Sequence, residues 1–303
     1  MNVKLGVDLG GTKTEIIALD QEGKTLLRRR VPTPSGDYPA TLAMIKELVA
    51  QADEELGQRC PIGFGTPGSP SPRDGRMRNC NSTCLNGQRL LDDLREMLQR
   101  PVAIANDANC LALSEATDGA GSGAHSVFAV ILGTGVGAGI VINGDVLHGA
   151  NGIVGEWGHN PLPSPRDEER PGELCYCGRS GCIETFLSGP GLKRDHFNLN
   201  GEHLEPHEIV TRAAANDSAC EATLQRYEER LARALAHVIN ILDPDVIVLG
   251  GGLSNLTRLY ENVPRLWRPY VFSDSVGTRL LQNKHGDSSG VRGAAWLARS
   301  SDQ

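Results

Sequence analysis

Residues 3–19 read VKLGVDLGGTKTEIIAL, and residues 126–143 read SVFAVILGTGVGAGIVIN. Each stretch is an apolar, β-rich run, a glycine turn and a second apolar run. In the first, Val3–Leu9 and Lys13–Leu19 are expected strands around the turn Gly10-Gly11-Thr12. A third strand, Thr25–Val31, follows a turn at Asp20–Gly23. In the second, Ser126–Leu132 and Ala138–Asn143 flank Gly133–Gly137, and Gly144-Asp145 leads into Val146–His148. The same meander opening each half of the chain predicts a duplicated architecture.

Working outward, helical periodicity separates the strands. Over Tyr38–Leu56, the residues Leu42, Ile45, Leu48, Val49, Ala52 and Leu56 share one face, and Gly57 is a stop signal. Ala219–Leu242 repeats apolar residues at three- and four-residue steps until Pro244, and a short helix is expected near Val291–Arg299. Alternating strands and helices predict an α/β fold with a layered sheet in each half. Small residues at Gly119–Gly123 place the seam after Asp118. The expected division is 1–118 and 119–289, with a C-terminal helix at about 290–303 packing back on the first lobe. The Pro-rich, charged stretch Pro161–Gly172 reads as an exposed loop or flap.

Bulk properties narrow the function. The chain has 303 residues, 39% hydrophobic, with only 4% aromatics but 36 glycines, which favours tight turns over an aromatic-lined surface. The net charge of −7 disfavours a nucleic-acid partner. Arg28, Arg29 and Arg30 form the densest basic stretch and read as a solvated strand end. No apolar run approaches the ~18–20 residues of a membrane span, and the start of the chain lacks a secretory pattern. The cytoplasm is the expected compartment, and the eight cysteines are expected as reduced thiols or metal ligands.

Four constellations could carry chemistry. Asp8-Leu9-Gly10-Gly11-Thr12-Lys13 joins an acid, a glycine turn, a hydroxyl and a cation, which suits phosphate oxygens; an ordinary hairpin needs only the glycines. Gly133–Gly137 repeats that turn. Neither is a P-loop or a dinucleotide fingerprint, since no G-x-x-x-x-G-K-[ST] occurs and the Gly133 turn runs into a strand. Asn106-Asp107-Ala108-Asn109 follows the expected strand Val102–Ala105 and opens a helix. Asp107 there serves either as a helix N-cap or as the carboxylate that takes a proton from an attacking hydroxyl. His159 with Cys175, Cys177 and Cys182 gives one imidazole and three thiols, a set suited to structural zinc, against a chance group of buried thiols. Glu156 and Glu184 flank that loop and read as surface acids or as acceptors for sugar hydroxyls.

Together these motifs resemble the ROK family (repressors, open reading frames and sugar kinases). They comprise DLGGTKT, GTPGS at Gly65–Ser69, NDAN at Asn106–Asn109, GTGVGAG at Gly133–Gly139, GEWGH at Gly155–His159, CYCGRSGCIE at Cys175–Glu184, DPDVIVLGGGLS at Asp243–Ser254 and HGDSSGVRGAAW at His285–Trp296. The resemblance implies a duplicated actin/hexokinase/Hsp70-like (ribonuclease H-like) fold of two lobes with a central cleft. It implies Asp107 as general base, with Asn81, Asn106, Asp107, Glu156, His159 and Glu184 holding the sugar. Gly6, Asp8, Gly10, Gly11, Thr12, Lys13, Gly133, Thr134, Gly135 and Gly137 would surround the phosphates and Mg²⁺ of ATP, and Gly251 and Gly252 would lie against adenosine. His159, Cys175, Cys177 and Cys182 would hold one structural Zn²⁺.

The match looks closest to bacterial fructokinases that also accept mannose, which sets the expected reaction: transfer from ATP to the 6-hydroxyl of fructose or mannose. N-acetylglucosamine kinase is the alternative within the class. Cys84, in the sugar-side loop Asn79–Gly87, stands where an aromatic such as Trp is expected. Family relatives include sugar-responsive repressors, but the first strand leaves no room for an N-terminal helix-turn-helix. A non-catalytic sugar sensor or a ROK-type transcriptional repressor is the alternative of another class. No membrane or nucleic-acid partner is expected, and a homodimer is the assembly the resemblance suggests.

Overall fold

The structure is a computed structural model and describes residues 3–298. In chain order its strands are β1 (Lys4–Leu9), β2 (Lys13–Leu19), β3 (Thr25–Pro32), β4 (Ile62–Thr66), β5 (Ser69–Pro70), β6 (Met77–Arg78), β7 (Val102–Asn106), β8 (Ser126–Leu132), β9 (Val136–Ile142), β10 (Asp145–Val146), β11 (Val246–Gly250) and β12 (Arg279–Gln282). The helices are α1 (Tyr38–Leu56), α2 (Leu90–Leu98), α3 (Asp107–Thr117), α4 (Ile183–Leu187), α5 (Gly189–Asn200), α6 (Pro206–Ala214), α7 (Ser218–Leu242), α8 (Leu259–Leu266) and α9 (Ser289–Leu297).

The duplication is visible in the strand order. One sheet runs β3-β2-β1-β4-β7 and the other β10-β9-β8-β11-β12. In the first, β1 is antiparallel to β2 and parallel to β4. In the second, β11 is parallel to both β8 and β12. This is a mixed α/β fold of two domains. One compact unit gathers the chain up to Gly123, Gly139–Val154 and the chain from Lys284; the other holds Ala124–Ala138 and Gly155–Asn283. A single cut after Asp118 would not have assigned Gly139–Val154 to the first unit. No helix among the described residues is long and apolar enough to cross a membrane.

In the first unit the core is built from Leu5, Val7, Ile16 and Phe64 of the sheet and Ile45, Leu48 and Val49 of α1. Each such side chain contributes about 1.5–3 kcal/mol by leaving water. The ends of α1 follow from its sequence. The Asp37 carboxylate accepts the Ala40 N–H at 2.9 Å, and Gly57 closes the helix at φ 64°. Helix α9 lies against β1: a Cβ on Gly6 would stand 2.3 Å from the Val291 carbonyl oxygen. Gly6 therefore serves this close approach and is buried under α9. The part of the expected C-terminal helix beyond residue 298 lies outside the described residues.

Buried ions pin the connections. The fully buried Glu115 carboxylate, near the end of α3, accepts from the Ala120 N–H at 2.8 Å, the Lys284 N–H at 3.0 Å and the Ser289 hydroxyl at 2.9 Å. It thus holds together the segments by which the chain leaves and re-enters the first unit. In the second unit the expected flap Pro161–Gly172 is anchored. Its Glu169 is buried and accepts from Arg230 and Arg233 of α7, each at 2.7 Å. Burial alone would raise that carboxyl, but the bonds from Arg233, Arg230 and the Arg166 N–H hold it down at about 2. The arginines of β3 are not merely solvated either: Arg28 and Arg30 both pair with the buried Glu15.

Candidate active site and metal centre

In the first unit, β1 ends at the Gly10–Lys13 turn, closed by the Gly10 N–H donating to the Lys13 carbonyl at 3.1 Å. Gly11, Thr12 and Lys13 are exposed. The sequence did not single out Thr33, yet its hydroxyl donates to the Gly10 carbonyl at 2.9 Å and its N–H to the Thr12 carbonyl at 3.0 Å. This residue fixes the turn's shape. Asn81 and Cys84 line a cavity of about 320 Å³ together with Gly10, Gly11 and Thr12, so the loop Asn79–Gly87 reaches the turn.

Asp8 stands one residue before the end of β1. Burial pushes its carboxyl up to about 6, with the carboxylates of Asp107 and Glu15 adding to the shift. Two acids sharing one neighbourhood are suited to a cation or to proton transfer, because ionising both without a positive partner is costly.

The junction of β7 and α3 separates capping from chemistry. Asn106, not Asp107, is the N-cap: its side-chain oxygen accepts the Asn109 N–H at 2.9 Å. Asp107 occupies the first helical position and is exposed, with one carboxylate oxygen on the Ala108 N–H at 2.8 Å. The helix end is therefore satisfied by the neighbouring amide, and the acid projects where its charge reaches Asp8.

In the second unit, the Gly133–Gly137 turn joins β8 to β9. The Gly133 N–H donates to the Gly135 carbonyl at 3.0 Å, and the Gly189 N–H donates to the Gly133 carbonyl at 2.8 Å. Glu184 of α4 accepts the Val136 N–H at 2.8 Å, and a Cβ on Gly135 would stand 2.7 Å from that carboxylate. Glu184 thus supports the turn directly, a role the spacing of the motifs did not suggest. Glu156 sits exposed on the short 3-10 turn Glu156–His159, behind which Trp157 is buried.

Beside this turn lies an open groove of about 820 Å³ lined by Gly133, Thr134, Gly189, Lys193, His207, Gly252 and Asn255, among others. Gly252 is in it. Gly251 has a packing reason of its own: at φ 80° its Cβ position is 2.5 Å from the Leu132 carbonyl. Lys193, His207 and Asn255 carry no motif and could not be found from spacing.

The donor atoms of His159, Cys175, Cys177 and Cys182 all lie within 4.8 Å of one another. Cys177 Sγ is 3.6 Å from Cys182 Sγ, and Cys175 Sγ is 3.5 Å from His159 Nδ1. A tetrahedral ion with bonds of about 2.3 Å to sulfur sets sulfurs about 3.8 Å apart, so these spacings fit one. Burial raises the Cys175 and Cys182 thiols, whereas the Arg179 N–H and guanidinium lower Cys177. Buried thiolates require a cation, which is the chemistry of a metal centre. His159 Nε2 meets the Tyr176 hydroxyl at 2.8 Å. Both ring nitrogens of His159 are thus engaged.

A family model described as the ROK family matches residues 4–301. An N-acetyl-D-glucosamine kinase from Yersinia pseudotuberculosis is 38% identical over 296 residues, covering 96% of this chain and 97% of that protein. Among solved structures, a ROK hexokinase from Thermus thermophilus superposes with a TM-score of 0.86 at 31% identity, covering 98% of this chain and 97% of the other. A ROK family glucokinase from Streptomyces griseus, solved with glucose and AMPPNP, gives a TM-score of 0.78 at 28% identity, covering 98% of this chain and 99% of the other.

Proposed function

The chain belongs to the ROK family of sugar kinases, and on that premise we propose that it transfers the γ-phosphate of ATP to the 6-hydroxyl of N-acetyl-D-glucosamine. The fructose reading has no support among these relatives, whereas one sharing 38% identity over nearly the whole chain acts on N-acetyl-D-glucosamine. The observation that carries the catalytic part is the division of labour at the start of α3. Asn106 caps the helix and Asp107 stands exposed next to it, within electrostatic reach of Asp8.

Asp107 is the general base in this reading, taking the hydroxyl proton as the sugar oxygen attacks phosphorus. The exposed residues Gly11, Thr12 and Lys13 would offer N–H groups, a hydroxyl and a cation to the transferring phosphate, and Asp8 would face the Mg²⁺ that accompanies ATP. The groove at Thr134, Lys193 and Gly252 takes the nucleoside end. Asn81, Glu156 and Glu184 supply acceptors and donors for ring hydroxyls, and Asn106 orients the base beside them.

The four donors fit a zinc ion, held by His159 Nδ1 and three thiolates. These residues would hold zinc as a structural cross-link of the loop that carries Glu184, outside the phosphoryl transfer itself. The cytoplasm, where ATP and free hexoses meet, is the proposed compartment.

ADP release with N-acetylglucosamine, glucose, mannose and fructose, each with ATP, tests the reading. N-acetylglucosamine is expected to give the highest kcat/KM. A clear preference for fructose would overturn the sugar assignment, and no turnover of any hexose would overturn the kinase reading.

A further inference from the structure

Three strands of the first sheet carry a row of charge across one face. Asp8 of β1 stands directly opposite Glu15 of β2, and Glu15 stands directly opposite Arg30 of β3. Residues opposed in antiparallel strands put their side chains on the same face, with Cβ atoms about 4.5–5.5 Å apart. Arg28 shares that face two residues away along β3. The face is the one that α9 covers. A Cβ on Gly290 would stand 3.4 Å from Asp8 Oδ2, and a Cβ on Gly65 of β4 would stand 3.5 Å from Asp8 Oδ1.

The row holds two acids and two bases, yet both bases go to one acid. Glu15 is 5% exposed and both its oxygens are occupied. Arg28 Nε donates to Oε1. Arg30 Nε donates to Oε2 at 2.8 Å, joined there by a terminal nitrogen of the same guanidinium. Asp8 receives no hydrogen bond or ion pair from any described side chain. It lies two strand spacings from Arg30, about 9–10 Å, a gap that an extended arginine and an aspartate close between them. A carboxylate in reach of two guanidiniums ordinarily takes one of them. The stronger claim belongs to Glu15, a buried carboxylate that is costly to leave without its cations. The second sheet supports the link between the two acids. Ile131 and Ala138 stand at the matching positions there, so the copy that lacks the first acid also lacks the second.

We infer that Glu15 is a positioning residue, which sequesters Arg28 and Arg30 over β2 and so keeps the Asp8 carboxylate open for the cation that accompanies ATP. The inference rests on the proposal that Asp8 faces that cation.

Binding of Mn²⁺ in the presence of ADP, read by electron paramagnetic resonance, tests it without turnover, with melting temperature measured alongside. Asp8→Asn should weaken Mn²⁺ binding, which checks the premise. Glu15→Gln should raise the Mn²⁺ Kd about three- to tenfold, the scale of one net hydrogen bond, as a released guanidinium takes the Asp8 carboxylate. Glu15→Gln/Arg28→Gln/Arg30→Gln, with the competing guanidiniums gone, should return to within about twofold of wild type. A merely structural role for Glu15 gives no such rescue. An unchanged Kd in Glu15→Gln overturns the inference, and so does weak binding in the triple variant. The triple variant removes the acid together with both its bases and leaves none of them unpaired. Its wild-type binding supports the inference and its weak binding overturns it, even where Glu15→Gln alone does not fold. If Asp8→Asn binds Mn²⁺ as wild type does, the cation reading of Asp8 fails and this inference goes with it. If Asp8→Asn weakens binding and Glu15→Gln does not, this inference alone is lost.

Discussion

The two glycine turns occupy equivalent places in sheets of the same strand order, yet they are held and furnished differently. In the first, Val7-Asp8-Leu9-Gly10 leads in; in the second, Val130-Ile131-Leu132-Gly133 does. An acid in one copy is an isoleucine in the other. The first turn is fixed by the hydroxyl and N–H of Thr33 and sits beside the paired acids Asp8 and Asp107. The second is fixed by the Glu184 carboxylate on the Val136 N–H and opens onto a groove of about 820 Å³. Duplication supplied the frame twice, and in the proposed reading side chains at matching positions divide the work between chemistry and nucleotide binding.

That division can be broken at either turn. Asp8→Asn removes the acid that distinguishes the first copy, and kcat should fall by at least about 100-fold; a fall under fivefold would place the important charge elsewhere. The loop behind the second turn comes next in size. Wild type should carry about one zinc per chain, and Cys177→Ser should lose it and lower the melting temperature by about 5–10 °C. Metal-free protein with full activity and unchanged melting would contradict the metal assignment.

Gly135→Ala should be milder, since its new methyl meets the far end of a flexible glutamate. By pushing Glu184 off the Val136 N–H it should raise ATP KM about three- to tenfold with kcat nearly unchanged. An effect on kcat alone would mean that the two turns share one task.

The smallest effect is on stability. Asp8 titrates near 6 in the folded protein against 3.8 as its ordinary value, so its ionised form is disfavoured by folding. The penalty is full above about pH 6 and fades as pH falls toward 4. Asp8→Asn should therefore raise the melting temperature by a few degrees at pH 8 and by less at pH 5. The opposite pH trend would show that Asp8 is stabilised by a partner instead.

Much of this frame is legible in the residues themselves. Tyr38–Leu56 is a helix with the bounds its apolar spacing and Gly57 predict, because local signals suffice there. The cluster of His159 and three cysteines closes on itself for the same reason: three of its four members lie within one short turn. What stayed hidden depends on partners distant in sequence. Gly6 looks like part of a phosphate turn, but its partner is α9, from the far end of the chain. Glu169 reads as a loop acid until α7 brings two arginines to it. Asn106 and Asp107 are both good caps by type, and only geometry shows which one does it. Sugar preference was the least legible, since kinases named for different sugars are all similar to this chain.

The central claim is that Asp107, relieved of helix capping by Asn106, takes the proton of the attacking hydroxyl. Single-turnover phosphoryl transfer by Asp107→Asn, alongside calorimetric sugar binding, tests it most directly. A rate lowered about 10²–10⁴-fold with sugar affinity within a few-fold of wild type is the predicted outcome. A rate within tenfold of wild type would contradict it.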